Sequence, residues 1–170
     1  MQRDIPQETL SDLEGAHPTG TLIAFLTVRH DNLAEPIRIV SDLFNYVRGG
    51  DLFTGIPFDV ALVNDDDQQP VTEVRVQNID RRIGSALRDA SGVATVELEI
   101  CTSSDFDMGQ DPRQEIGTAD VIYRLTHYEL RDVSADALEV SGRAALPDYA
   151  SEPWPAITTT QARCPGLYFG

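Results

Sequence analysis

The sequence predicts a mainly β domain of the sandwich or barrel class with one internal α-helix and a short N-terminal helix, α+β by strict count. Three observations predict it. "VATVELEICTS" (93–103) alternates apolar and polar residues with the period of a half-buried strand. "NYVRGGDLFTG" (45–55) carries a Gly-Gly reversal between two strand-like runs. Between Asp80 and Gly92 the period changes, with Ile83, Ala86, Leu87 and Ala90 at helical spacing behind a capping aspartate and before a glycine stop.

Taken in order, residues 1–20 read as an arm. Pro6 stands near the start of a short amphipathic helix with Leu10 and Leu13 three apart, closed by "EGAHPTG". Residues 21–150 form the β-rich domain, with its helix at about 80–91. "TLIAFLTVRH" is dense enough in apolar and β-branched residues to be a strand buried on both faces, and "PIRIVSD" returns beside it as a hairpin. The Gly-Gly reversal brings Val47 and Phe53 onto adjacent strands, and "IPFDVALVN" continues extended. "NDDDQQP" (64–70) is a polar loop, and "VTEVRVQNID" puts Val74 and Val76 on one face of a further strand. After the alternating strand at 93–103, Ser103 to Thr118 reads as a long polar excursion, followed by the strands "DVIYRLTHYELRDV" and "ALEVSGRAAL" around the turn "SAD". Residues 151–170 are a Pro- and aromatic-rich tail with no charged residue after Arg163.

The 170 residues suffice for one domain with a single core. Thirteen basic residues, all arginine, against 28 acidic ones give 13 − 28 = −15. Such a surface repels phosphate, which argues against a conventional DNA or RNA binder. The absence of lysine follows most simply from GC-rich codon usage; the sharper reading assigns the planar arginines to subunit interfaces. The first twenty residues lack the basic start, apolar stretch and cleavage site of a secretory signal, so synthesis and retention in the cytoplasm are expected. No apolar run approaches the roughly 20 residues that span a bilayer, so no membrane segment is expected.

Chemistry finds little foothold. His17, His30 and His127 are far apart without metal-ligand spacing, and Cys101 and Cys164 have no CxxC spacing, reading as buried thiols. Asp105, Asp107 and Asp111 alternate as calcium-loop ligands do, but Gln110 and Ile116 occupy the positions where such a loop requires Gly and a bidentate Glu. Asp65, Asp66 and Asp67 are consecutive and suit a hairpin tip. With no nucleophile elbow, Walker loop or dinucleotide fingerprint, the expectation is no enzyme, no metal and no cofactor. Arg81, Ser85 and Arg88 share the outer face of the expected helix, and the two arginines are interface candidates. Trp154, Leu167, Tyr168 and Phe169 are candidates of the same kind. Trp154 with Tyr149 and Tyr168 also supports a second function class, a carbohydrate-binding β-sandwich module at a virion tip.

The string of landmarks "LTVRHDNLAEPIRIVSD", "FTGIPFDVALVNDD", "VTEVRVQNIDRRIGSALRDASGVATVELEI" and "SEPWPAITTTQARCPGLYFG" covers most of the chain. As a whole it resembles a family of siphophage tail-assembly proteins, domains of unknown function encoded between the tape-measure and tail-tip genes. It is also similar to the N-terminal domain of the lambda minor tail protein L. Ile56 and Cys164 depart from that pattern, each standing where the family often has an aromatic residue, and neither change threatens the fold. No counterpart of the cysteine-rich iron–sulfur extension of protein L is expected, and the two cysteines cannot hold a cluster within one chain. The resemblance implies a tail-tube-like structural protein of the virion, assembled in the host cytoplasm. It implies a threefold or sixfold ring at the tail tip, hub or distal tail, contacting tube, tape measure and receptor-binding tip, with DNA only passing through the lumen. In such a ring, the aromatic terminus docks on the next protomer or layer, and an acidic lumen avoids binding the ejected DNA.

Overall fold

The computed structural model describes residues 20–31, 33–60, 71–77, 93–136 and 139–147, together with Gln7, Leu10, Ser11, Glu14, Gly15 and Arg163. Eleven strands follow in chain order: β1 (Leu22–Arg29), β2 (Ile37–Val40), β3 (Tyr46–Arg48), β4 (Asp51–Gly55), β5 (Phe58–Val60), β6 (Val71–Gln77), β7 (Ala94–Thr102), β8 (Phe106–Asp107), β9 (Arg113–Glu115), β10 (Tyr123–Ala135) and β11 (Glu139–Ala145). They join in the order β5-β6-β11-β10-β7-β1-β2-β4-β3-β9-β8. All neighbours are antiparallel except the short parallel pairs β2–β4 and β3–β9.

The α+β expectation is overturned. Among the described residues there is no α-helical element, only the 3-10 turn Ser103–Asp105. In the arm, the isolated described positions Gln7, Leu10 and Ser11 are helical and the Glu14 N–H donates to the Leu10 carbonyl at 2.9 Å, while the residues between them lie outside the described ones, so no helical element is bounded there. Leu10 is exposed. The expected internal helix at about 80–91 lies outside the described residues, and so does the 64–70 loop. A second correction concerns the excursion from Ser103 to Thr118: it holds β8 and β9, and it delivers Phe106 to the interior.

The mainly β character itself follows from the pattern. In β6, Val74 and Val76 are buried while Glu73, Arg75 and Gln77 are exposed, and β7 buries Ala94, Val96, Leu98 and Ile100 on one face. Gly49 and Gly50 both take positive φ, 57° and 85°, giving the two-residue hairpin turn that pairs Arg48 with Asp51. Val47 accordingly faces Leu52, with Phe53 opposite Tyr46.

The sheet is rolled. β4 and β5 stand far apart in the strand order, yet only Ile56 and Pro57 separate them in the chain, a reach of about 10 Å at most. The far edge must therefore curl back; the Ile56 N–H, donating to the Val40 carbonyl at 3.2 Å, extends the β2–β4 ladder up to the point where the chain crosses to β5. Inside the roll lies a mostly aliphatic core that includes Leu26, Val28, Ile39, Val76, Leu98 and Leu125 together with the rings of Phe58, Tyr123 and Tyr128, and it holds a cavity of about 30 Å³. β1 is buried on both faces, as its composition predicts: Leu26 and Val28 enter this core while Ile23 and Phe25 point the other way. There, β3, β4, β8 and β9 fold over to close a second core of Ile23, Phe25, Val40, Tyr46, Phe53, Cys101, Phe106 and Ala119.

β10 is 13 residues long and irregular. Its register slips against β7 between Leu125 and Tyr128 and against β11 between Arg131 and Ser134. At the two slips His127 and Asp132 take left-handed conformations, φ 64° and 53°. These are β-bulges carried by non-glycine residues, and they bend the longest strand around the roll.

Candidate functional site

The second core is aromatic. Phe25 meets Tyr46 and Phe53 edge-on at centroid distances of 5.7 and 5.1 Å, and Phe106 meets Tyr46 edge-on at 5.1 Å. Two arginines line this layer. The Arg48 guanidinium lies 5.2 Å from the Phe25 ring centre and pairs with Glu99, whose second oxygen takes Arg124. Burial works against the Arg48 charge, yet the bond to Glu99 outweighs it and holds the guanidinium above its ordinary value. Cys101 is buried beside this pair, and desolvation pushes its thiol up to about 11, so it is a packing residue rather than a nucleophile.

Arg113 organises the other side. Its Nη1 donates to Asp42 Oδ2 at 2.7 Å and to the Tyr46 hydroxyl at 2.6 Å, while that hydroxyl donates to Asp42 Oδ2 at 2.7 Å. Burial pushes the Tyr46 phenol up to about 12, reinforced by the Asp42 carboxylate it bonds. Burial opposes ionisation of Asp42 as well, but the bonds from Tyr46 and the Leu43 N–H and the charge of Arg113 bring it below the usual carboxylate range. Nε of Arg113 is buried and unpartnered among the described residues.

This closed network supports an apolar surface. The Arg113 guanidinium stacks 4.1 Å from the centre of the Phe44 ring, and Met108 Sδ stands 3.9 Å from the Tyr46 hydroxyl. Leu43, Phe44 and Met108 nevertheless remain 78, 44 and 45% exposed. The backbone beneath them is fixed by Gly55: a Cβ there would lie 2.5 Å from the Phe44 carbonyl oxygen and 2.7 Å from the Leu43 carbonyl carbon. Asn45 adds to the clamp, its Oδ1 accepting from the Gly55 N–H at 2.9 Å and its carbonyl from the Arg113 N–H at 2.8 Å. Glu115 ties the neighbouring loops together by accepting from the N–H groups of Gly49 and Ala119 at 2.8 and 2.7 Å. Leucine, phenylalanine and methionine held over a rigid polar base can bind another apolar surface; they carry no group for proton transfer or nucleophilic attack.

None of these residues was singled out by sequence reasoning as a site. Arg81, Arg88, Trp154, Leu167, Tyr168 and Phe169, the expected interface residues, all lie outside the described residues, as do Tyr149, Cys164 and the Asp65–Asp67 run. Asp105, Asp107 and Asp111 are described and do not converge. Asp105 accepts from the Thr102 hydroxyl at 2.9 Å, and Asp107 from the Gly109 N–H and the Gln110 amide at 3.0 and 2.6 Å. Among the described residues no group of three or more His, Cys, Asp or Glu could hold a metal ion, and no helix is long and apolar enough to cross a membrane. His127, which has no metal-ligand spacing in the sequence, is exposed and occupies the first bulge of β10.

The model of one protein family matches residues 10–159; the family is described as a domain of unknown function, DUF1833. Comparison with curated proteins found no match.

Proposed function

This chain belongs to the DUF1833 family, and we propose that it is a structural subunit of the distal end of a siphophage-like tail. Copies of the chain form a threefold or sixfold ring between the tube with its tape measure and the receptor-binding tip, and DNA passes through the lumen without being bound. The observation that carries this reading is the surface of Leu43, Phe44 and Met108, presented by a locked network on a chain of net charge −15. Copies that repel one another at long range require such an apolar contact to associate. Two further features agree with a scaffold. The strongly shifted groups, Tyr46 and Cys101, are engaged in packing, and the rolled sheet offers a rigid wall. The acidic balance suits the lumen of a DNA conduit, and a map of the assembled ring with a basic bore would overturn that part of the reading.

Antibodies against the full chain test the location. Gold particles at the distal end of intact tails are expected; labelling confined to the head, or none on purified virions, overturns the proposal.

A further inference from the structure

We infer that the surface formed by Leu43, Phe44 and Met108 receives residues 164–170 of a neighbouring copy of the chain. The inference rests on the reading above that copies assemble. Other exposed apolar residues are scattered: Leu22, Val71 and Val133 sit on the separate strands β1, β6 and β10, and Val93 just precedes β7. Leu43, Phe44 and Met108 differ in being gathered on one network, with Phe44 under Arg113 and Met108 against Tyr46.

Charge selects the occupant. At −15, most segments of a second copy approach this surface carrying carboxylates, and the Arg113 charge that could attract them is already neutralised by Asp42 at 2.7 Å. A segment without acidic groups avoids both the repulsion and the cost of stripping water from a carboxylate against Leu43 and Phe44. "CPGLYFG" (164–170) has no charged side chain and carries Leu167, Tyr168 and Phe169 in succession. Extended, it spans about 23 Å, enough to lay these three side chains across a surface of three residues. Chemistry at the receiving side fits as well. Methionine and leucine adapt to ring faces, and the Phe44 ring edge is available for an offset or edge-on partner because Arg113 takes one face.

The test is photo-crosslinking in the full chain with Phe44→p-benzoylphenylalanine, using an equal mixture of isotopically heavy and light copies. Trypsin cuts after Arg163 and releases Cys164–Gly170 as one peptide. The expected product joins the position 44 peptide to Cys164–Gly170 with heavy–light pairs as abundant as random mixing requires, and Leu43→Asp removes at least nine-tenths of it. Because Leu43 is 78% exposed, this substitution should leave the far-ultraviolet circular dichroism unchanged. Crosslinks in which heavy pairs only with heavy place the tail on its own domain and overturn the inference. So does a crosslinked assembly whose products all involve other segments, and that result leaves the ring reading intact. A chain that stays monomeric by light scattering at every concentration and gives no heavy–light product overturns both.

Discussion

Phe25 and Leu26 are neighbours on one strand, and each belongs to a different interior. Leu26 faces a mostly aliphatic core inside the rolled sheet, formed by long antiparallel strands whose alternation repeats along β6, β7 and β11. Phe25 faces a layer of four rings under strands of two to five residues, two of them joined in parallel and braced by Arg48 and Arg113. The first interior distributes its stability mainly over many aliphatic side chains, beside Phe58, Tyr123 and Tyr128. The second concentrates it in a few rings, two arginines and one glycine, and that specificity holds Leu43 and Phe44 in place. The difference teaches where function and stability separate: the roll makes the domain, and the aromatic layer makes the surface.

The largest test of this contrast is a pair of truncations. Phe25→Ala should cost about 4 kcal/mol and Leu26→Ala about 3 kcal/mol in chemical denaturation. Only the first should also erase most of the near-ultraviolet dichroism of the ring cluster. Equal loss of that signal in both would mean that the two interiors are one. Next in size, Gly55→Ala places a methyl against two backbone carbonyl groups that cannot yield, and should cost about 2 kcal/mol. By contrast, Gly142→Ala meets the flexible Leu130 side chain at 2.7 Å and should cost less.

A smaller effect comes from pH. The folded value of Asp42 lies below its unfolded value, so its contribution is complete above the ordinary carboxylate value of about 3.9 and drains away as pH falls through the folded one. Asp42→Asn should therefore flatten the acid limb of the stability curve. For Tyr46 the folded value is raised, so its contribution is complete below pH of about 10 and is lost as pH rises towards about 12. Tyr46→Phe should remove that alkaline loss, which urea midpoints between these limits would read directly. The smallest change has the opposite sign. His127→Gly suits the left-handed bulge and should raise stability by about 0.5 kcal/mol; a loss would show that the imidazole, 3.0 Å from the Thr126 hydroxyl, contributes more than the backbone strain.

The same division explains what the sequence made legible. The alternating runs of β6 and β7, the two-faced burial of β1 and the Gly49–Gly50 turn could all be read, because period and turn chemistry are local. The aromatic layer could not. β8 and β9 are two and three residues long, too short to show a period, and Phe106 sits among serines and aspartates that dominate its neighbourhood. The site was invisible for a related reason: Asp42 and Arg113 are separated by 71 positions, and nothing near either announces the other. One signal was present and unread. "LFNY" exposes two large apolar residues immediately after an aspartate in a turn, where polar residues are the rule.

The central claim is that the chain is a stoichiometric ring subunit of a tail tip, and mass measurement on tips detached from purified virions tests it most directly. The account predicts three or six copies of the 18.7 kDa chain per tip, lost together when the ring dissociates. Tips of full mass that lack the chain, or a count incompatible with either symmetry, would contradict it.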